Sequence, residues 1–475
     1  MSSQVAGTAV VAPGAAVGAR TTSRRRPSLG QSFLDAWRSG SAWYAVGEML
    51  MAFVFALVLG AILLVISNPE ILAKAAYLFN RPGDFFGASW ERISATYSAL
   101  AKGSVGSWYA ITETTSRAAP LILAGLGVAL SFRVGLFNIG GQGQAIWGTI
   151  LAGYIGFTVH APAVVHLPLA ILAGILGGAV WGGLAGFLRA RFGANEVITT
   201  IMLNYIANGL LMYLLMTTAF RRPGRTDPIS PMIDWSATFP RIAGTRLHLG
   251  FVIALLAVVF VWWLLDHTKL GFQIRAVGSN ADAAATAGMN VPVVLTLAMV
   301  IAGSLCGLAG ANIILAPDAL GASNPLSVGM VGSVGFDAIT VALLGRSRPG
   351  GALLAGLLFG ALNAGAQSMQ AVAATPLELA SVLQALLVMF VAAPMLVRTL
   401  APFLKRRSAE AIAAEVDTAE VPTPTVAAVA DAAATPPVVA DAVGSASRVA
   451  ETGAPPGSPP AAGGIAPTMP EGGAR

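Results

Sequence analysis

LPLAILAGILGGAVWGGLAGFL, residues 167–188, runs for 22 positions without a charged side chain. A helix rising about 1.5 Å per residue needs about 20 apolar residues to cross a hydrocarbon core about 30 Å thick, so this stretch predicts a membrane-spanning helix. Within it Gly174, Gly178, Gly182 and Gly186 recur every fourth residue and stack on one helix face. A second helix can approach that face closely, which is how helices associate where lipid supplies no hydrophobic drive. Gly303 and Gly307, and Gly356 and Gly360, repeat the device further along.

The rest of the chain has the same character. Of 475 residues 55% are apolar and 11% charged, and the mean hydropathy is +0.72, which excludes an ordinary soluble domain. Apolar segments fall near 49–66, 118–132, 141–159, 167–188, 197–220, 249–265, 293–315, 328–344, 351–371 and 379–397. They predict an all-α, polytopic membrane helix bundle of about ten transmembrane or re-entrant segments with disordered termini. Segments 118–132 and 328–344 are short and end in polar or glycine-rich sequence, so they are expected to be broken or re-entrant, covered inside the bundle.

Residues 1–45 carry Arg24, Arg25 and Arg26 and no apolar run. They read as a disordered cytoplasmic N-terminus, followed by a transmembrane domain over 46–400. Residues 401–475 turn to Ala, Pro, Thr, Val and Gly, a composition that buries too little apolar surface to order itself, and read as a disordered cytoplasmic tail. Ten spans put both termini on one side, and Arg398, Lys405, Arg406 and Arg407 nominate the cytoplasm for it.

The chemistry-bearing residues are few. Cys306 is the single cysteine, and His160, His166, His248 and His267 lie near predicted membrane edges without ligand spacing, so they read as solvated boundary residues and no metal site is expected. No hydrolase, metalloprotease or GxxxxGK[ST] pattern occurs, so the chain reads as a non-enzyme that binds no nucleotide of its own. Asp337 is the one acid well inside a predicted span and the candidate for ion coupling. Polar amides are better placed. Asn138, Gln142 and Gln144 in SFRVGLFNIGGQGQAIWG, together with Asn312, are candidates for a solute path, whereas Asn204 and Asn363 read as interhelical hydrogen-bonding residues.

These residues sit in longer stretches: TSRAAPLILAGLGVALSFRVGLFNIGGQGQAIWG at 115–148, GANEVITTIMLNYIAN at 193–208, TKLGFQIRAVGSNADAAATAGM at 268–289 and FDAITVALLGRSRPGGALLAGLLFGAL at 336–362. In them the chain resembles the permease subunits of ATP-binding-cassette importers, in the branch that includes branched-chain amino acid, simple sugar and nucleoside permeases. The wording of NEVITTIMLNYIAN and FNIGGQGQ is most similar to the nucleoside type. The resemblance implies a multi-pass plasma (inner) membrane protein that takes nucleosides or simple sugars. Its implied partners are cytoplasmic ATP-binding subunits, a second permease subunit, an extracytoplasmic solute-binding protein and the lipid membrane, with no nucleic acid. It implies no cofactor in this chain, ATP being used by the partner subunits.

The resemblance also implies that a cytoplasmic coupling helix lies near 271–288, marked by Gly271, Arg275, Gly278, Asn280, Asp282, Ala283, Ala287 and Gly288. The residues suit that place. Gly278 to Asn280 can open a short helix, Asp282 favours its N-terminal turn, the alanines give it a slim surface and Gly288 can close it. The alternative from the residues alone is an ion-coupled secondary transporter or channel that works without an ATPase, in which Asp337 carries the coupling.

Overall fold

Capping side chains open several of the helices, as Ser107, Asn195, His248 and Asn290 do, and Gly193 in left-handed backbone closes another. The computed structural model describes residues 41–392, so the expectations for 1–40 and 393–475 lie outside the described residues. In chain order the helices are α1 (Ser41–Ile66), α2 (Pro69–Ala75), α3 (Pro82–Val105), α4 (Trp108–Arg133), α5 (Gly141–Thr158), α6 (Ala163–Phe192) and α7 (Glu196–Met216). They continue with α8 (Leu249–His267), α9 (Lys269–Ser279), α10 (Ala281–Thr286), α11 (Val291–Leu315), α12 (Val334–Leu344), α13 (Pro349–Ala373) and α14 (Leu377–Ala392). A two-stranded antiparallel sheet pairs β1 (Ile229–Met232) with β2 (Pro325–Ser327). The protein is an all-α membrane helix bundle. Among the described residues six helices, α4, α6, α7, α8, α11 and α13, are long and apolar enough to cross a bilayer, or seven counting the sharply bent pair α1–α2.

Two readings of the sequence are corrected. Segment 118–132 is neither short nor broken: α4 starts at Trp108, capped by Ser107, and runs 26 residues through Pro120. Its first turns carry Glu113, Thr114, Thr115 and Arg117, and that polarity hides the helix from a hydropathy reading. The stretch before it, in which hydropathy marks no apolar segment, holds the 24-residue α3, whose charges Asp84, Glu91, Arg92 and Lys102 disguise it in the same way. α3 packs along the last turns of α13. Arg92 donates to the carbonyl of Ala373 at 2.6 Å, Thr96 meets Thr375 at 3.3 Å, and a Cβ on Gly365 would lie 2.7 Å from Leu100.

The centre of the bundle is α6 against α11. A Cβ on Gly178 would strike the carbonyl oxygen of Gly303, one on Gly307 that of Gly174, and one on Gly182 would lie 2.6 Å from the carbonyl of Met299. Gly186 faces Met299 and Thr296. α5 joins from a third side, where Gly148 meets the backbone of Gly307 and Gly310 meets the carbonyl of Ala145. Backbone is thus in contact with backbone, so dispersion acts at its shortest range along three helices. α4 and α13 repeat the arrangement where Gly356 meets Ile122 and Gly360 meets Thr114 and Ala118.

Gly178→Leu is expected to destabilise the bundle by at least about 1–3 kcal/mol, the usual cost of overpacking a filled core. Gly209 has open space where a Cβ would go, so Gly209→Ala in the same helix-rich background is expected to leave the thermal midpoint in detergent unchanged or slightly raised. Thermal unfolding followed by size-exclusion chromatography compares the two.

Candidate functional site

Two helix N-termini meet inside the bundle. α12 has 11 residues, about 16 Å, and is followed by a turn bearing Arg346 and Arg348. Those guanidinium groups need water, so the first turn of α12 lies near the middle of a core about 30 Å thick. There Gly335 packs against the first turn of α5, and a Cβ on it would strike the backbone of Gln142. The chain reaches α5 through Val134–Gly140, which is non-helical; GQGQ itself forms the first turn of α5. Irregular backbone at this depth must satisfy its polar groups internally.

Amide side chains do that. Gln142 accepts from the Gly335 N–H at 2.8 Å and donates to the Gly332 carbonyl at 2.7 Å, tying the start of α5 to the start of α12. Asn204 on α7 accepts from the Gly143 N–H at 2.8 Å and donates to the Ile139 carbonyl at 3.0 Å. Asn138 and Gln144 face each other, with bonds of 3.3 and 3.2 Å between their amides, and Asn138 also accepts from the Gly140 N–H at 2.9 Å. Each amide has both its carbonyl oxygen and its nitrogen engaged in the frame.

Beside this frame lies a cavity of about 440 Å³, lined among others by Gln142, Ile146, Asn204, Tyr205, Asn208 and Phe336. Its size falls within the range of about 300–1,000 Å³ usual for small-molecule sites. Of the residues the sequence nominated for a path, Gln142 reaches this cavity. Asn138 and Gln144 are buried in their mutual pair away from it. Asn312 is 1% exposed, its amide nitrogen unpaired and lying against Gly250 and not at the cavity. Asp337 turns to Ser333, whose hydroxyl donates to it at 2.9 Å, and it does not line the cavity either. Asn363 makes no hydrogen bond among the described residues. The cavity residues the sequence reading passed over are Tyr205, Asn208 and Phe336. The four-residue spacing of Asn204 and Asn208, which puts both on one face of α7, was the signal that could have found them.

The segment between α8 and α11 is two helices and not one. Thr268 caps α9 by accepting from Gly271, Asn280 caps α10 by accepting from Ala283, and Asn290 caps α11 by accepting from Val293. Gly288, at φ +82°, makes the left-handed turn after α10. Gly278 is therefore in the last turn of α9 and opens nothing. It lies where a Cβ would strike the carbonyl of Arg133 at the end of α4, and Gly135, at φ +84°, lies beside it. Gly271 is packed equally tightly on Leu264 and Leu265 of α8, and Arg275 lies 3.6 Å from Asp266. On α10 Ala284 is buried, whereas Asp282, Ala283, Ala285 and Ala287 are exposed. Arg133 also donates to the Ser347 carbonyl at 2.8 Å, holding a turn in which Arg346 and Ser347 both take left-handed backbone, at φ +52° and +50°. Such conformations cost roughly 1–2 kcal/mol per residue.

At the sheet end of the bundle a second polar cluster ties α4 to the loops. Glu113 accepts from Arg117 at 2.7 Å and from Arg246 at 2.6 Å. His248 is buried against Phe239, bonds Ser116 at 3.0 Å and caps α8 by accepting from Gly250. Burial, then the Arg246 charge, pushes its imidazole down to about 4. His166 bonds Ser236 at 2.6 Å and the Ile155 carbonyl at 3.0 Å. These two histidines are buried structural groups and not solvated boundary residues, because each lies under a loop that hydropathy does not place.

A bundle of tightly crossed spans, a neutral and largely apolar cavity where two helix starts meet, and a short capped helix pair between two spans are together the features of a membrane permease. The comparisons agree. The chain belongs to the family of the branched-chain amino acid transport system permease component, whose model matches residues 110–392. It is 38% identical over 325 residues to the guanosine ABC transporter permease protein NupP of Bacillus subtilis, covering 67% of this chain and 90% of that protein. It is 33% identical to the glucose ABC transporter permease protein TsgB13 of Haloferax volcanii, covering 75% of this chain and 90% of that protein. It is 34% identical to the nucleoside ABC transporter permease protein NupB of Lactococcus lactis, covering 65% and 86% respectively. No solved structure matches. The chain is thus a multi-pass plasma-membrane permease subunit, a transport component and not an enzyme, of a family that works with ATPase and binding-protein partners.

Gln142→Leu strands a buried N–H and a carbonyl, each worth about 1–3 kcal/mol, so its thermal midpoint is expected to fall well below that of Asn363→Ala. Glu113→Ala is expected to lower it too, the stability falling by up to about 3–5 kcal/mol, because two arginines lose a largely buried partner. The exposed pair Arg225–Asp227, with side chains 53% and 44% exposed, is the comparison: Asp227→Ala is expected to change little.

Proposed function

We propose that this chain is the membrane subunit of an ATP-driven nucleoside importer, with residues 46–400 as its permease domain and both termini in the cytoplasm. It pairs with a second permease subunit and receives solute from an extracytoplasmic binding protein. ATP is used by separate cytoplasmic subunits, since this chain carries no GxxxxGK[ST] motif and calls for no cofactor of its own. Relatives named for guanosine and nucleosides favour nucleosides over the glucose of a third.

One observation carries the coupling: Gly278 sits on the backbone of Arg133, at the exact residue where α4 ends and the chain leaves for the cavity. α10 offers the ATPase a small-residue surface. A push on α10 passes through the rigid cap at Asn280 to Gly278, then to Val134–Gly140, and so to the Gln142 and Asn204 frame. The same contact reaches Ser347 through Arg133, and with it the end of α12. Both helix starts that frame the cavity are thereby connected to one lever.

Replacing both Ala283 and Ala287 with Asp is expected to abolish copurification of the ATPase subunits with the detergent-solubilised chain. Gly278→Val, which leaves the α10 surface intact, is expected to retain the ATPase yet lose ATP-driven uptake at least tenfold. If wild type copurifies with no ATPase under gentle conditions, or if Gly278→Val transports normally, the coupling route is wrong.

A further inference from the structure

The amides of the cavity are of two kinds, and the difference decides what it reads. Gln142 and Asn204 line it, but each has its carbonyl oxygen and its nitrogen committed to main-chain partners. Turning either toward a solute would strand backbone groups at membrane depth. Asn208, one turn further along α7, is exposed in the cavity wall and its amide has no hydrogen-bond partner among the described residues. Tyr205 and Phe336 present aromatic rings from α7 and α12, 76% and 49% exposed. Most of the remaining wall is aliphatic, from Ile139, Ile146, Ile201, Leu211 and Val331, and no charged side chain lines it among the described residues.

Resting on the nucleoside reading above, we propose that Tyr205, Asn208 and Phe336 are the specificity-determining residues of the permease, and that they recognise the base of the nucleoside and not its sugar. The chemistry follows from the inventory. A neutral wall suits a neutral solute. A planar heteroaromatic base has an apolar face for the rings to stack on, worth about 1–3 kcal/mol per base, and an edge of alternating donors and acceptors that one free amide can match. A hexose carries hydroxyl groups around its whole ring, and a wall whose free side-chain groups are the Asn208 amide and the Tyr205 hydroxyl leaves most of them unpaired once water is removed. Each unpaired group costs about 1–3 kcal/mol. Aliphatic residues therefore select against a free sugar, while the ribose of a nucleoside can remain toward the open, hydrated side of the cavity.

The test uses the complete importer, with its ATPases and binding protein, reconstituted in proteoliposomes and supplied with guanosine, uridine and glucose at saturating binding protein. Asn208→Ala is expected to raise the KM for guanosine about tenfold, equivalent to about 1.4 kcal/mol, with ATPase copurification unchanged. Asn208→Asp, which replaces the donors with acceptors and adds a negative charge to the neutral wall, is expected to alter the ratio of guanosine to uridine uptake, a change that a purely structural residue would not produce. Tyr205→Ala and Phe336→Leu are expected to reduce uptake of both nucleosides together. Should Asn208→Ala fail to assemble, Asn208→Ser and Phe336→Leu give the same reading. Wild-type KM and an unchanged base ratio in the Asn208 and Phe336 variants overturn this inference while leaving the nucleoside importer intact. Uptake of glucose and of no nucleoside by the wild type overturns both.

Discussion

Everything else in the bundle rests on the contact of α6 with α11, backbone to backbone at Gly174, Gly178, Gly303 and Gly307. In water a helix pair is held by removing apolar surface from solvent, but in lipid that term is nearly absent, and close packing must hold the pair. Close packing in turn needs residues without side chains at the crossing. With α6 and α11 fixed, α5 has one place to lie, against Gly307 and Gly310. The start of α5 is then set beside the start of α12, and the cavity follows from that meeting.

The cavity frame solves a problem of its own making. Breaking helices inside a membrane exposes N–H and C=O groups that cannot find water, and Gln142 and Asn204 meet four of them directly. In the proposed coupling these bonds, which join different elements, are also the joints by which movement of Val134–Gly140 alters the cavity. Gly278 and Gly135 keep the far end of that stretch close to α9 without a side chain in between. Steric necessity thus places the glycines of the proposed lever just as it places those of the core.

How much of this the sequence disclosed depended on whether the deciding feature was local. The uncharged run at 167–188 and its four-residue glycine spacing are properties of one helix, so the bundle class could be read directly. The caps at Asn280 and Gly288 are local too. Gly278 is different: its reason is the carbonyl of Arg133, 145 positions away in the chain, and no local pattern gives it. Helices α3 and the first turns of α4 escaped notice because their polar residues are satisfied by tertiary partners such as Ala373 and Arg246. The amides could not be sorted into frame and free groups for the same reason. Asn138, Gln144, Gln142 and Asn208 look alike in sequence, and only their partners separate frame from free group.

The rigidity of the connection from α10 to the cavity is open to direct measurement. Spin labels placed through Phe137→Cys and Ala283→Cys, with the buried Cys306 replaced by Ser, report the distance between the non-helical stretch and α10 in the assembled importer. A third label at Leu184→Cys on α6 gives the fixed reference. Between the nucleotide-free and the ATP-trapped complex, the distance from 137 to 283 is predicted to stay constant while both move relative to 184. A changing distance from 137 to 283, with 137 stationary against 184, would contradict the lever and separate α10 from the cavity.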